Sequence, residues 1–353
     1  MFIRVTAAVM AAMLLCSCSA DRSAPEEDEL RSLSKLRAEG SALSDEVKAL
    51  ELKNIRLSGD FEISIPQQLG EYEVEVISDF NDCRQAIYDS LLPEGAYSDE
   101  KVTFNETYVP VGPTFYDPET DIRIDMGENG FFSYSRGIGD SGFIYDYDSE
   151  TGQRYEHTSC YVKEAPPAAV KGYETVADLT KRLSQAAGKD ISLTPFRSEI
   201  FEGQGFIRTD LRAEYRGVPI SCILNARNGD TGTDTGLSGF MSGFAYTDTE
   251  GGLMLFVNEL VLKDKSTLRE YDSIISPAEA LKRLSEKLSS YVELEAVGME
   301  LVYLCEGTPE TAAGSTVRLR PYWAVWFEVE NSDTEKFGLV SPDGSEVLMI
   351  NNM

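Results

Sequence analysis

Few residues in this sequence are of the types that commonly act as nucleophile, base or metal ligand. His157 is the only histidine among 353 residues, so HExxH zinc sites and all multi-histidine metal sites are excluded. His157 and Cys160 are three residues apart in a predicted strand, which points the two side chains to opposite faces and prevents a nucleophile–base pair. Asp and Glu together number 60, so pairs of carboxylates suited to hydrolysis are too numerous to identify a site.

Three short segments carry the remaining candidates for chemistry. Gly139-Asp140-Ser141-Gly142 contains the residues of a serine nucleophile turn, but chymotrypsin-like proteases need a histidine upstream of that serine, and His157 lies downstream. Asp146, Asp148 and Glu150, and likewise Asp230 and Asp234, offer oxygen ligands at alternate positions, as calcium loops do. Neither loop has the full EF-hand pattern, so plain turns are the alternative, and no cofactor is predicted beyond this calcium hypothesis.

The N-terminus has the pattern of an export signal. A basic start (Met1 to Arg4) and an uncharged apolar run of signal-peptide length (Val5 to Leu15) lead into Leu15-Cys16-Ser17-Cys18. These residues resemble a bacterial lipobox, which implies cleavage after residue 17, a diacylglycerol on Cys18 and attachment to the extracytoplasmic face of the cell membrane. An ordinary secretory signal followed by chance cysteines is the alternative. The run is shorter than the roughly 20 residues that span a bilayer.

Charge and cysteine content restrict the partners and the covalent framework. The net charge of −28 repels nucleic acid and anionic lipid headgroups, whereas cations and basic protein surfaces remain compatible with it. Beyond Cys18, an even number of cysteines remains, and none lies in a CxxC pair. Two disulfides, Cys83–Cys160 and Cys222–Cys305, are one hypothesis; four reduced thiols are the other.

Two segments precede the C-terminal half. Within residues 18–58, a charged tether is followed by leucines in heptad spacing (Leu36, Leu43, Leu50 and Leu57), with Leu33, Val47 and Asn54 on a companion seam. This predicts a helical stalk, with a helix packed on its own globular domain or a short coiled coil as alternatives. Residues 59–166 alternate between strand patterns and turns, with one helix over residues 80–92, and predict a β-rich domain that ends at the prolines 166 and 167.

The C-terminal half contains a weak internal repeat, residues 167–271 and 272–353. Thr175 with Asp178 and Ser276 with Glu279 have the form of capping boxes, and each leads into Lys-Arg-Leu-Ser, at 181–184 and at 282–285. Strand patterns follow each predicted helix. The sequence therefore predicts an α+β fold in which antiparallel sheets are each covered by one helix.

One strand of the second repeat has an aromatic stripe. Tyr322, Trp323 and Trp326 could line a groove for a peptide or glycan at the surface. At the strand period of two, Trp323, Val325 and Phe327 share one face, and Trp326 lies on the other. Core packing of the inward members is the alternative.

The C-terminal half also resembles a known group of proteins. The segments ISPAEALKRLSEKL, RPYWAVWFEV and GLVSPDGSEVLMI, with Tyr215-Arg216-Gly217-Val218-Pro219-Ile220, are similar to PepSY-type and YycI/YpeB-type regulatory modules of Gram-positive bacteria. The resemblance covers roughly residues 173–353 and implies tandem PepSY-like repeats in a non-catalytic binding module, without catalytic residues.

These patterns together predict a function in outline. We expect a lipid-anchored extracytoplasmic binding or regulatory protein that docks an unidentified protein or peptide partner at the cell surface. A secreted hydrolase that works through carboxylates is the alternative. The docking hypothesis places the partner at a sheet edge or in the groove between the two repeats, where main-chain hydrogen bonds are available.

Overall fold

A computed structural model describes residues 30–351 of the chain except residues 78–79, 81–82, 106–111, 128–130, 139–150, 154, 162–164, 188–190, 202, 222–242, 249, 258–260, 289–293, 307–315 and 329–335. In this part of the chain, five α-helices accompany mostly antiparallel strands, so the predicted α+β class is confirmed. The helices are α1 (Leu33–Glu39), α2 (Ser41–Lys48), α3 (Arg84–Leu91), α4 (Pro167–Ala187) and α5 (Pro277–Lys287).

Nineteen strands are described in the same residues. They are β1 (Leu30–Ser32), β2 (Ile55–Ser64), β3 (Gly70–Ile77), β4 (Val102–Asn105), β5 (Gly112–Asp117), β6 (Ile122–Met126), β7 (Phe132–Arg136), β8 (Thr158–Tyr161), β9 (Ile191–Phe201), β10 (Phe206–Tyr215), β11 (Val218–Ser221), β12 (Gly243–Asp248), β13 (Leu253–Val257), β14 (Val261–Glu270), β15 (Ser273–Ile275), β16 (Leu294–Glu306), β17 (Thr316–Glu328), β18 (Lys336–Val340) and β19 (Val347–Asn351).

The predicted stalk is part of the globular fold instead. Strand β1 pairs antiparallel with β15, and the helical run breaks into α1 and α2 at Gly40, whose φ of 45° favours glycine. Leu33, Leu36, Leu43 and Val47 are buried in the main core, and α2 packs on α5 and β2. The apolar seam therefore faces the protein's own core, as in the alternative of a helix packed on its globular domain.

Sheet I is built from two four-stranded groups that meet edge to edge, with β8 added beside β9. Its strand order is β4–β5–β6–β7–β13–β12–β10–β9–β8, and every pairing is antiparallel. Helices α3 and α4 cover one face, where Thr180 of α4 donates to the Leu193 carbonyl and Tyr88 of α3 lies 5.5 Å from Phe115 between ring centroids. We call this the helix face of sheet I and the opposite one its outer face.

Sheet II is centred on the long hairpin of β16 and β17. One end has the order β2–β16–β17–β18–β19, and at the other end β3 pairs with the start of β17 and with β14. Strands β2 and β11 run parallel to β16, and all other pairings are antiparallel. The short β10–β11 hairpin connects the two sheets, since β10 belongs to sheet I and β11 pairs with β16.

The same arrangement of one helix and four strands occurs three times. In the C-terminal unit, α5 precedes the antiparallel meander β16–β17–β18–β19. In the middle unit, α4 precedes β9–β10–β12–β13. Strand β11 lies between β10 and β12 in sequence but pairs with β16 of sheet II. The N-terminal unit, which the sequence did not reveal as a copy, is α3 followed by β4–β5–β6–β7.

The two predicted capping boxes have different outcomes. Ser276 accepts a hydrogen bond from the Glu279 N–H at 3.2 Å, with Pro277 at the first helical position, so the second helix start is confirmed. The first helix begins at Pro167, and Thr175 lies inside it, where its hydroxyl donates to the Lys171 carbonyl at 3.0 Å. The first capping box is therefore wrong.

The segments predicted as separate units share their sheets. Strand β2, which crosses the boundary predicted at residue 58, pairs with β16. Strand β3 pairs with β14 and β17, and β7 pairs with β13. One apolar core contains residues from Leu33 to Val340. The boundaries predicted at 166 and 271 thus fall between elements but do not separate independent sheets or cores.

Candidate binding site

Several predicted site residues lie outside the described residues. Cys18, Cys222 and both candidate calcium loops are among them, so their roles stay predictions. Cys305 lies in β16, but the position of its side chain is not described. Within the described ranges, no group of three or more His, Cys, Asp or Glu residues has the arrangement of a metal site.

The proposed Cys83–Cys160 disulfide is not present in the described part of the structure. The Cys83 thiol, just before α3, donates to the Phe80 carbonyl at 3.5 Å. The Cys160 sulfur, in β8, lies 4.0 Å from the hydroxyl of Tyr173 in α4. The two thiols therefore belong to different local environments. The Cys222–Cys305 bridge stays a prediction.

Burial corrects the aromatic surface predicted on β17. Tyr322 and Trp323 are both 0 % exposed, so neither can line a groove. The Trp323 indole donates to the Ile275 carbonyl at 3.2 Å, and the Tyr322 hydroxyl donates to Glu346 at 2.7 Å. Trp323, Val325 and Phe327 all belong to the main core, which confirms the predicted alternation. Trp326 alone of the three site residues is half-exposed.

His157 and Cys160 do lie on opposite sides of sheet I. The His157 ring packs on Phe201 with 5.2 Å between centroids, and its Nε2 lies 3.7 Å from a Glu199 carboxylate oxygen. Cys160 instead contacts Tyr173 of α4, on the helix face. The two side chains therefore lie on opposite faces, as the strand period predicts.

The outer face of sheet I has a continuous line of aromatic rings. Successive ring centroids are separated by 6.3, 5.0, 5.6, 5.7 and 4.5 Å. We call this line the aromatic row; in order across the sheet its members are Phe131, Phe256, Phe244, Tyr246, Phe206 and Phe201. Alternation along β10, β12 and β13 produces it, because the residues between these rings, such as Ala245 and Leu255, pack in the main core.

Burial changes along the aromatic row. At one end Phe201, Phe206 and Tyr246 are buried, with Tyr155 packed against them. At the other end Phe131, Phe244 and Phe256 are only half-buried. The described helices that pack on sheet I lie on its opposite face. Half-exposed rings in a contiguous line are typical of an interaction surface.

Charged side chains flank the half-exposed rings. The Arg208 guanidinium lies 5.1 Å above the Phe244 ring, within the range of a cation–π contact. The same group pairs with Asp210 at 3.2 Å and lies 3.9 Å from Glu199. Arg208 is thereby held over the row in one orientation, so the site combines aromatic faces with a fixed cation and its carboxylates.

Four residues after Arg208, on the same face of β10, Arg212 reaches sheet II. Its Nη1 donates to Glu300 Oε1 of β16 at 2.8 Å, and the Trp326 indole donates to the same oxygen at 3.2 Å. Arg212 also lies 3.8 Å from Glu214. We call Arg212, Glu300 and Trp326 the seam, because they join the middle and C-terminal units on the outer side. Of the predicted surface residues, only Trp326 thus lies in a candidate site.

The Tyr-Arg-Gly-Val-Pro-Ile segment forms the corner between the sheets. Arg216 (φ 52°) and Gly217 (φ 75°) make the β10–β11 turn, and the guanidinium of Arg216 lies 4.6 Å from the Tyr72 ring centre and pairs with Asp264 at 2.7 Å. Tyr215 donates to Asp264 and packs edge-on against Tyr72 and Tyr303. Burial is the largest cause that raises the pKa of the Tyr215 and Tyr303 hydroxyls, so both stay neutral and serve packing.

The sequence analysis missed the aromatic row although a signal was present. Phe244 and Tyr246, and Met254 and Phe256, are alternate residues in consecutive strand patterns, each around a small or aliphatic residue. That alternation places both pairs on one sheet face. Which face is covered by helices depends on α3 and α4, which the spacing within these strands does not specify.

Of the described helices, none is both long enough and apolar enough to span a bilayer. No protein-family model matches the chain, and no curated protein matches it either.

Several solved structures are similar to the chain, among them the following two. An uncharacterized protein from Eubacterium rectale aligns with a TM-score of 0.55 at 12% identity, over 88% of this chain and 99% of its own. At that identity the similarity concerns the fold alone. The C-terminal domain of YpeB from Bacillus megaterium aligns with a TM-score of 0.31 at 11% identity, over 77% of this chain and 97% of its own, and a TM-score that low supports no conclusion.

Proposed function

We propose that this protein is a lipid-anchored, extracytoplasmic and non-catalytic docking protein that holds a protein or peptide partner on the outer face of sheet I. One observation carries the proposal: the half-exposed end of the aromatic row, on the face opposite α3 and α4. Aromatic side chains and arginine dominate the binding energy of protein interfaces, and Arg208 lies directly over this end of the row.

The chemistry of the site favours a particular kind of partner. Phe244 and Phe256 supply flat apolar contacts, and the seam adds an indole and a carboxylate. The surrounding protein has a net charge of −28, so a partner with basic as well as apolar side chains fits best. Its association should slow as salt rises, because the steering field is screened.

The anchor supports a site of action near the membrane. With a lipid on Cys18, only about 12 residues separate the membrane from Leu30, where β1 begins, and such a segment spans at most about 40 Å. Cys18→Ser should abolish lipidation and signal processing, so the protein should keep its signal peptide and migrate more slowly on a gel. Unchanged maturation of this variant would contradict the anchor.

Kinship with PepSY-like modules is part of the same proposal. Its support is the resemblance of residues 173–353 together with two helix-and-meander units in that half of the chain. In this proposal the units serve as a scaffold, because their caps and buried strands maintain the fold and the outer faces remain available.

The test is a crosslinking capture from intact cells with matched variants. Phe244→Ala with Phe256→Ala should remove at least about 90% of the captured partner, as loss of two interface anchors does. Phe104→Ala is the control, since Phe104 is 58 % exposed at the far edge of the same sheet and outside the row. Thermal unfolding verifies that each variant is folded. Equal capture by both variants refutes the site, and turnover of a peptide or glycan by the purified protein would favour the carboxylate hydrolase.

A further inference from the structure

The three helix-and-meander units differ in what their last strand does. In the N-terminal and middle units the last strands, β7 and β13, pair with each other antiparallel over five residues each. The register is centred on Tyr134 opposite Leu255, so the two units are related by a local twofold axis through that pair. In the C-terminal unit the last strand, β19, also has five residues and pairs with β18. No described strand pairs with its other edge.

The edge of β19 lacks the protection found on the other described sheet edges. Strands β4 and β8 have only four residues each, and β14 is exposed from Asp264 to Glu270 with several charges. Strand β2 carries Arg56, Asp60 and Glu62. By contrast β19 begins Val347-Leu348-Met349-Ile350 and contains no charged residue. An apolar edge without charge or proline is competent to pair with another strand.

The backbone of β19 presents regular hydrogen-bonding groups at that edge. The Ser341 N–H donates to the Glu346 carbonyl at 2.9 Å, at the closing turn of the β18–β19 hairpin. Because bonded and non-bonded pairs alternate in an antiparallel ladder, Leu348 and Ile350 direct their backbone groups toward β18. Val347, Met349 and Asn351 direct theirs away from it, toward whatever lies beside the edge.

We propose that a second copy of this chain pairs with β19, strand to identical strand, as β7 pairs with β13 within one chain. The twofold axis passes through Met349, so Val347 of each copy pairs with Asn351 of the other and Leu348 with Ile350. Such an interface is isologous and closes at two subunits. It joins sheet II of both copies into one continuous sheet and leaves the aromatic row free, so it is independent of the docking site proposed above.

Charge at the axis provides the test. The protein for the test is residues 18–353 with Cys18→Ser. This variant lacks the attachment point for lipid and alters no described residue. Its sedimentation is measured over a wide range of protein concentration. We expect a monomer–dimer equilibrium. Met349→Lys should raise its dissociation constant by about tenfold or more, because the proposed register then places two lysines directly opposite each other in the ladder. Thr267→Lys, on the exposed edge of β14, is the matched control and should leave the equilibrium unchanged.

A second variant and a second measurement separate self-pairing from misfolding. Met349→Pro removes only an N–H that points away from β18, so the monomer should stay folded while the dimer is lost. Hydrogen exchange of the parent chain should show that the amides of Val347, Met349 and Asn351 gain protection as concentration rises, whereas those of Leu348 and Ile350 are protected throughout. A parent chain that is monomeric at all concentrations refutes the proposal. A dimer that both Met349 variants leave intact also refutes the proposal. Hydrogen-exchange protection of the β19 edge that depends on an added partner peptide, and not on protein concentration, refutes it as well.

Discussion

Replacement of Asn54 by alanine should destabilise the protein by removing the cap of α5. Asn54 lies between α2 and β2 and is 3 % exposed. Its Nδ2 donates to the Ser285 carbonyl at 2.9 Å and to the Leu288 carbonyl at 3.1 Å, and its Oδ1 accepts from the Ser285 hydroxyl at 2.6 Å. Both carbonyls belong to the C-terminal turn of α5, where no further turn of helix supplies donors. One side chain therefore joins the N-terminal segment to the helix of the C-terminal unit.

The size of the effect follows from those three hydrogen bonds. A hydrogen bond contributes about 1 kcal/mol net, and a buried group that loses its partner costs about 1–3 kcal/mol. Asn54→Ala removes three bonds, so we expect a loss of about 3 kcal/mol in the free energy of unfolding. For a protein of 353 residues that corresponds to a decrease of about 4 °C in Tm.

Denaturant unfolding monitored by circular dichroism measures this loss. Gln85→Ala is the control, because the Gln85 amide bonds Asp89 on the exposed side of α3 and its removal should cost under about 0.5 kcal/mol. A double-mutant cycle with Ser285→Ala should give a coupling energy of about 1 kcal/mol, since the two side chains share the 2.6 Å bond. A loss for Asn54→Ala no larger than that of the Gln85 control would refute the capping role.

Two further predictions concern a cap and a carboxylate. Ser276→Ala should lower stability by about 1 kcal/mol through loss of the helix cap, whereas Thr175→Ala, inside α4, should change it little; denaturant unfolding of both variants decides. The pKa of Asp117 is lowered, mainly by the hydrogen bond from the Lys101 ammonium. The ionised Asp117 carboxylate therefore stabilises the folded protein fully above the unfolded pKa of about 4, and this stabilisation is lost as pH falls through the lower folded pKa. Asp117→Asn should therefore be less stable than the parent at neutral pH and should lose less stability below about pH 4. The control, Asp178→Asn on an exposed turn of α4, should follow the parent. Equal acid unfolding of the two variants would contradict the pairing of Asp117 with Lys101.

The elements that were predicted accurately have one face in the core. The alternation of apolar and polar residues over 122–126 and 206–215 coincides with strands β6 and β10. In both strands buried residues alternate with more exposed ones, so the hydrophobic period is visible in the sequence alone. The same argument explains why the alternation on β17 was correct while the surface role of its aromatic residues was not: periodicity separates two faces but does not say which one is covered.

Strand β9 contains a proline, Pro195, at a position where a sheet rarely has one. Proline lacks an N–H and is rare inside sheets, which argues against a strand over residues 191–201. The structure accommodates it at a register shift, where Arg197 pairs with Asp210 but Pro195 already pairs with Leu211. Such a bulge leaves one residue unpaired, so the ladder continues on both sides of the proline.

The helix start at Pro167 was predictable from spacing that the capping motif obscured. Ala169, Tyr173, Val176, Leu179 and Leu183 are buried at helical intervals that run through Thr175 without a break. A hydroxyl three residues before a carboxylate caps a helix only where the preceding residue is not helical. Inside a helix the same hydroxyl bonds the carbonyl four residues back, as Thr175 does.

The pairing of distant strands was beyond the reach of the sequence. Strand β3 pairs with β14 and with β17, and its partners lie roughly 190 and 240 residues away in the chain. Local patterns specify that β3 is a strand and which of its residues are apolar. They do not specify partners, because many strands of similar composition compete for the same edge. The division into separate domains assumed that neighbours in sequence pair, and this chain interleaves them.

The N-terminal leucines in heptad spacing show how a wrong assumption about the packing partner of a helix changes a functional argument. Their spacing requires only that one face of a short helix be apolar, and either another chain or the protein's own core satisfies that requirement. Gly40 and the burial of Leu36 and Leu43 show that the core does so here. The lipid that we propose on Cys18 lies about 12 residues before Leu30, and a segment of that length spans at most about 40 Å, so the proposal favours partners close to the membrane. A partner whose exposed segments lie far from the bilayer is therefore a poor candidate, whatever its charge.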